Sequence, residues 1–420
     1  MVGINHIGEN VIDLECIVAD INGAEIRGID VEDNGKTNTK EALVFPDSNK
    51  NLEFVIYDPT VNKYYQGRIS TSSRGIVNEN SLLAVTQKFD QFGGLVPIDE
   101  TIYSLSKGIK LKVTRRNPGG GAINCGTAIQ VFLNSLNATD MINRVVVPNG
   151  DNWVRDFLKD KYNLQEYRPQ GWNTGAGLNV NISFEGKTFT LRSPYNLPYK
   201  NKKGYDLDFV QEGDFVVINT IKDKEYLDGL LGEIAKKNTK KILVATDSSI
   251  KSIGRGYIQN LLQNCSVVIS NDQELDILVN DRDKGRKLAE EGKYEELATA
   301  MQKIGGNDKT VYTTLGKQGI AVYFGGHIYK QRISVAEFQV DTENGCGDAT
   351  AALIVLYAIL GYDPLNAMVD ANVAGQIKAT ESSGIATKES ITQFKEAYRL
   401  APIEVYRQSE KRFVPISEGR

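Results

Sequence analysis

Residues 340–360 read VDTENGCGDATAALIVLYAIL. From Ala351 to Leu360 the run is unbroken and apolar. At about ten residues it suits a core helix and falls well short of a bilayer span. Just before it, Gly345, Cys346 and Gly347 are small enough for backbone N–H groups to approach an anion. A helix that starts there adds its unpaired amides and the positive end of its dipole. Asp348 then falls in the first turn, beside the anion. A carboxylate so placed can accept the proton of a hydroxyl as that hydroxyl attacks phosphorus. The plain alternative for the same letters is a glycine loop with an aspartate at a helix start.

The preceding chain supplies strands that such a helix would cover. RVVVP (144–148), DFVVINT (214–220), KKILVAT (240–246), SVVIS (266–270) and KTVYTTLG (309–316) are short β-branched runs. Between or beside them NCGTAIQVFLNSL (124–136), DNWVRDFLKDKY (151–162), KEYLDGLLGEIAKK (224–237) and YIQNLLQN (257–264) have helical spacing. Strands alternating with helices in this way predict a mainly parallel sheet covered on both faces, a three-layer α/β/α domain. Two last long helices are expected near 348–360 and 364–381. Neither GxxxxGK[ST] nor GxGxxG occurs, so the two commonest nucleotide folds are not signalled.

The first 85 residues read as strands and turns. NLEFVIYDP (51–59) and KYYQGRI (63–69) are strand-like, with turn signals at Asn22-Gly23 and Asp33-Asn34-Gly35. Further on, GLNVNISFEG (177–186) and KTFTLRS (187–193) predict a hairpin around Glu185-Gly186. A small β lid is expected beside the α/β/α domain. The expected division is a β-rich N-terminal extension or lid insertion over 1–88 and the catalytic domain over 89–420.

The chain has 420 residues, 41% hydrophobic and 24% charged, with a formal net charge of −4. These values suit a globular protein and argue against a nucleic-acid partner, which usually selects a basic face. Cys16, Cys125, Cys265 and Cys346 lie far apart with no CxxC, and two histidines, His6 and His327, give no zinc-ligand spacing. Free thiols in a reducing compartment fit best. The start, MVGINHIGENVIDLE, has neither the basic opening nor the apolar run of a signal peptide. The expectation is a cytoplasmic protein with no membrane partner.

Three more stretches bear on chemistry. Asn117-Pro118-Gly119-Gly120-Gly121-Ala122-Ile123-Asn124 opens a helix, and consecutive glycines permit positive φ and close approach of a small ligand. Its plain alternative is a capping turn. Asn271-Asp272-Gln273-Glu274 follows SVVIS. It suits Mg²⁺, which keeps several waters and needs few carboxylates, or simply a capping box. Thr314-Leu315-Gly316-Lys317-Gln318-Gly319 follows another strand, with an ordinary hairpin loop as its alternative.

In their order along the chain, these motifs resemble the ribokinase-like, PfkB-type carbohydrate kinase family over roughly residues 90–390. The resemblance implies Asp348 as catalytic base and Gly345, Cys346 and Gly347 as the anion hole. It implies that Gly119, Gly120 and Asn124 bind hydroxyls of the phosphoryl acceptor. Asn271, Thr314, Gly316 and Gly319 would lie at the nucleotide phosphates, Asn372 beside the adenine, and Glu274 would act on magnesium through water. Gly150-Asp151 and Asp247 are weaker matches. ATP and Mg²⁺ are the implied cofactors, and a small sugar or nucleoside the implied partner. A homodimer stays open. So does a monovalent cation, because Asp341-Thr342 is followed by one residue more than the family pattern has.

The acceptor-binding aspartate has two candidates, since G-x-x-x-x-D occurs at Gly8 to Asp13 and at Gly94 to Asp99. Asp99 is preferred, because Asp13 would require an insertion of roughly a hundred residues that folds on its own. Pro97 weighs against it, since proline weakens a central strand. Two rival readings stay open: a catalytically idle binder of sugar or nucleotide, and an interaction protein working through its β-rich start.

Overall fold

The computed structural model describes residues 2–8, 118–138, 140–147, 154–167, 207–219, 221, 224–246, 250, 253–280, 285–333, 345–381 and 384–416 in full. The strands between 11 and 117 and between 177 and 192, and the start of the helix at 152, are described as backbone. The chain divides into two compact units. One comprises residues 1–10, 119–174 and 198–420, the other 11–118 and 175–197. The division therefore does not fall at residue 88. The first strand belongs to the larger unit, and residues 89–118 belong to the smaller.

The larger unit is built on an eleven-stranded sheet. Its order is Gln165–Tyr167, Met141–Val146, Val2–Ile7, Phe215–Ile218, Lys240–Val244, Val267–Asn271, Thr310–Thr314, Ile320–Phe324, His327–Gln331, Ile403–Arg407, Arg412–Pro415. The first seven strands run parallel. The remaining four continue antiparallel. Strand periodicity sends alternate residues to opposite faces. Val216 and Ile218 join a core with helices Lys224–Ala235, Arg255–Gln263, Asp272–Asn280 and Tyr294–Gly305. Phe215 and Val217 join a second core with Gly121–Ser135, Cys346–Leu360, Pro364–Thr380 and Lys388–Ala397. This is the three-layer α/β/α arrangement expected from the alternating runs. The helix at 346 is apolar almost all round, and every residue from Thr350 to Tyr357 is buried, as befits a helix enclosed in the core.

The smaller unit holds two sheets. Five strands order as Lys187–Arg192, Gly177–Phe184, Val11–Asp20, Ile109–Gly119, Thr101–Ser104, and six as Ile76–Asn78, Glu25–Asp33, Lys36–Pro46, Asn51–Asp58, Lys63–Ser70, Leu83–Ala84. Phe184 pairs with Lys187 and Asp33 with Lys36, the registers expected on either side of Glu185-Gly186 and Asn34-Gly35. The strands flanking Asn22-Gly23 go to different sheets.

The strand Val2–Ile7 corrects the reading of the chain start as wholly outside the core. Its letters, VGINHI, interrupt an apolar run with Asn5 and His6, yet both are fully buried. Asn5 is satisfied by the Asp214 carboxylate at 3.2 Å and the Phe215 carbonyl at 3.3 Å. Asp214 also accepts the Gly3 N–H at 2.6 Å. Burial lowers the His6 imidazole from 6.5 to about 4, against a smaller upward pull from Asn143. His6 is therefore neutral in the folded protein where the unfolded chain would bind a proton. Its contribution to stability is intact above pH 6.5 and is lost as pH falls from there towards 4, by about 3 kcal/mol in all. Denaturant melts at several pH values should show that slope, and His6→Gln should flatten it; an equal slope in both proteins would contradict this.

Candidate active site

Two glycine-opened helices start at the carboxyl end of the parallel strands, where open α/β sheets bind ligands. The first begins after Gly120, whose φ of 98° is one that side-chain-bearing residues rarely adopt. Gly8 ends the strand Val2–Ile7 beside it. A Cβ on Gly8 would lie 2.6 Å from the Cβ of Ala122, so glycine lets the helix start press onto the sheet. The second helix begins after Gly345, in the left-handed region at φ 80°, and has no side-chain cap. Its first backbone bond runs from the Ala349 N–H to the Gly345 carbonyl at 2.9 Å. By helix geometry, the amides of Cys346, Gly347 and Asp348 then point out of the N-terminus.

The two starts meet through one bond. Asn124 Nδ2 donates to Asp348 Oδ2 at 2.7 Å, joining residues 224 apart in sequence. Burial pushes the Asp348 carboxyl above the usual carboxylate range, while the Asn124 bond and the charge of Lys378 pull it back. Cys125, the next residue on the first helix, has its thiol pushed well up by burial and by the Asp348 charge. Asn124, the residue that the family resemblance assigns to acceptor hydroxyls, thus touches the carboxylate that it assigns as base. Lys378 was not singled out in the sequence, because nothing local distinguishes it from other helical lysines.

A second group lies at the ends of neighbouring strands. Asn271 and Thr314 are register partners. Asn271 Oδ1 accepts the Glu274 N–H at 2.8 Å, and Glu274 Oε2 accepts the Asn271 N–H at 2.8 Å. The capping-box reading of this motif is thus realised. Glutamine closes such a box as glutamate does, so Glu274→Gln separates structure from electrostatics. Unfolding free energy should change by less than about 1 kcal/mol, whereas the Mg²⁺ concentration for half-maximal rate should rise. An unchanged magnesium titration would leave the residue with its capping role alone.

The third group surrounds Gly319, at φ 90°. A Cβ there would meet the Gln331 carbonyl oxygen at 2.0 Å, so the turn from Gly316 to Gly319 packs against the strand His327–Gln331. Asn372 Nδ2 ties the same stretch from the helix Pro364–Thr380, donating to the Arg332 carbonyl at 2.9 Å and to Gln331 Oε1 at 3.2 Å. The turn also connects antiparallel strands, since Thr314 pairs with Ile320.

Asp99, Gly150, Asp151, Asp247, Asp341 and Thr342 lie outside the described residues. Asp13 is described as strand backbone, in register with Asn179. Among the described residues Cys125, Cys265 and Cys346 are free thiols. None of the described helices is long and apolar enough to cross a membrane. Among the described residues no group of three or more His, Cys, Asp and Glu could hold a metal by itself.

The sequence model for the pfkB family carbohydrate kinases matches residues 92–391. Among solved structures, a ribokinase from Thermotoga maritima is similar at 14% identity and TM-score 0.56, covering 94% of this chain and 100% of that one. A phosphofructokinase-2 from Escherichia coli in complex with substrates and products gives 14% identity and TM-score 0.54, covering 94% and 99%. A putative sugar kinase from Clostridium perfringens gives 12% identity and TM-score 0.54, covering 99% of each chain. At these identities the likeness shows the fold, which is ribokinase-like. No curated protein sequence matches the chain.

Proposed function

The chain belongs to the pfkB family of carbohydrate kinases, and we propose that it moves the terminal phosphoryl group of ATP to a hydroxyl of a small sugar or nucleoside, with Asp348 as general base. The observation that carries this reading is the Asn124–Asp348 hydrogen bond at 2.7 Å, which fixes a carboxylate at the mouth of two uncapped helix starts. In the proposed reaction the acceptor oxygen attacks the terminal phosphorus in line, the bond from that phosphorus to the β,γ-bridging oxygen breaks, ADP leaves, and the acceptor's proton passes to the Asp348 carboxylate. The amides at Gly345 to Gly347 face the phosphoryl oxygens as charge grows on them. Asn124 holds the carboxylate in one rotamer, so little reorganisation is needed during transfer.

Gly119 and Gly120 let the backbone approach the acceptor, and Thr314, Gly316, Gly319 and Asn271 lie towards the nucleotide phosphates in this reading. Asn372 stands by the adenine through the backbone it fixes at Arg332. Magnesium would come in on the phosphates and offset their charge. Glu274, whose Oε2 accepts the Asn271 N–H, would act on a metal carried in this way through water in this reading. Thermal-shift screening of sugars and nucleosides, each with Mg²⁺ and a non-hydrolysable ATP analogue, tests the reading. At least one acceptor should raise the melting temperature beyond the analogue alone. Stabilisation by none of them, with no shift from the analogue, would count against it.

A further inference from the structure

We propose that Lys378 is a nucleotide-binding residue, its ammonium group set against the terminal phosphoryl group of ATP at the Gly345 turn. The inference rests on the reading of that turn as an anion hole. It begins with helix packing. The helix Pro364–Thr380 lies on Cys346–Leu360 with glycine at the contact: a Cβ on Gly375 would be 2.5 Å from Thr350 Oγ1. Thr350 Oγ1 itself donates to the Cys346 carbonyl at 2.9 Å. Gly375 thus brings the second helix down onto the first turn of the first.

Residues three apart share a helix face, so Lys378 is carried on from Gly375 towards the start of the neighbouring helix. Its Cε lies 3.2 Å from where a Cβ on Gly345 would stand. Lysine stem and glycine turn are in contact, and a side chain at 345 would displace the lysine. The residue is half-buried. Asp348, the carboxylate in this turn, feels the charge of Lys378, yet its hydrogen bond comes from Asn124. A compact ammonium beside outward-pointing amides is the combination that phosphoryl oxygens require. The ordinary alternative is a helical lysine that serves packing alone.

The two alternatives differ in which phosphate they affect. A cation at the helix start acts on the terminal phosphoryl group, which ADP lacks. Calorimetric titration of the full chain with Mg-ADP and with the magnesium complex of the β,γ-imido analogue of ATP reads this directly, with no acceptor needed. Lys378→Met should weaken the triphosphate analogue about tenfold and leave ADP within about twofold. Lys378→Arg should recover part of the loss. Should the methionine variant fold poorly, Lys378→Gln gives the same comparison. Equal weakening of both nucleotides, no weakening of either, or a wild-type chain that binds the analogue no more tightly than ADP would overturn the proposal. Asp348→Asn, assayed separately for transfer, keeps the two readings apart. Loss of transfer there together with unchanged nucleotide binding in Lys378→Met would sink this inference alone.

Discussion

Asp348→Asn is expected to slow phosphoryl transfer by about 10² to 10⁴ and to leave the fold intact. The substitution keeps size and shape, and an amide oxygen at the same place can still accept the bond from Asn124. What disappears is the ability to take a proton. Stability should move the other way. Burial raises the Asp348 pKa, so the ionised carboxylate opposes folding at neutral pH, and that opposition is relieved as pH falls through the raised value. Removing the charge should raise the melting temperature. The same raised value sets the acid limb of the wild-type rate: activity should fall with decreasing pH at a point above the ordinary carboxylate range. A purified asparagine variant with full kcat would remove Asp348 from the role of base.

Asp13→Ala is the second large effect, an acceptor KM raised at least about tenfold with Asp99→Ala held within about twofold. A carboxylate that accepts bonds from two substrate hydroxyls contributes about 2 to 4 kcal/mol when both are charge-assisted. Asp99 was preferred on the sequence because a large insertion after the first strand looked costly. The structure removes that objection. Val2–Ile7 is an interior strand of the large sheet, paired with Met141–Val146 on one side and Phe215–Ile218 on the other. The residues that follow fold as a compact unit with two sheets of their own. Gly8, the first residue of the G-x-x-x-x-D run, touches the helix start at Ala122. The proposal therefore passes to Asp13. A tenfold rise for the Asp99 variant and none for Asp13 would return it to Asp99.

Much of the larger unit was legible because its signals are local. β-branched runs bounded by turns marked the strands Phe215–Ile218, Lys240–Val244, Val267–Asn271 and Thr310–Thr314. Glycine followed by an apolar run marked the helices at 121 and 346. The first strand was harder to see, since Asn5 and His6 break its apolar pattern; Asn5 is accommodated by Asp214 and the Phe215 carbonyl, about 210 residues away, and His6 lies beside Asn143 of the neighbouring strand Met141–Val146. The boundary at 88 failed for a related reason: a unit formed from 11–118 and 175–197 is assembled by the pairing of Gly177–Phe184 with Val11–Asp20, which no local pattern announces. The same limit applied at the candidate site. Each motif could be read alone, but the bond that joins Asn124 to Asp348 and the approach of Lys378 to Gly345 are long-range events. The Asn271-Glu274 motif was ambiguous in another way, because one pair of residues suits both a capping box and a magnesium shell.

Phosphorus NMR of the purified chain with Mg-ATP and a panel of sugars and nucleosides tests the central claim most directly. The account predicts, for at least one acceptor, a new phosphate monoester resonance that grows in step with ADP. ADP appearing only with inorganic phosphate, or no turnover of ATP with any member of the panel, would contradict it.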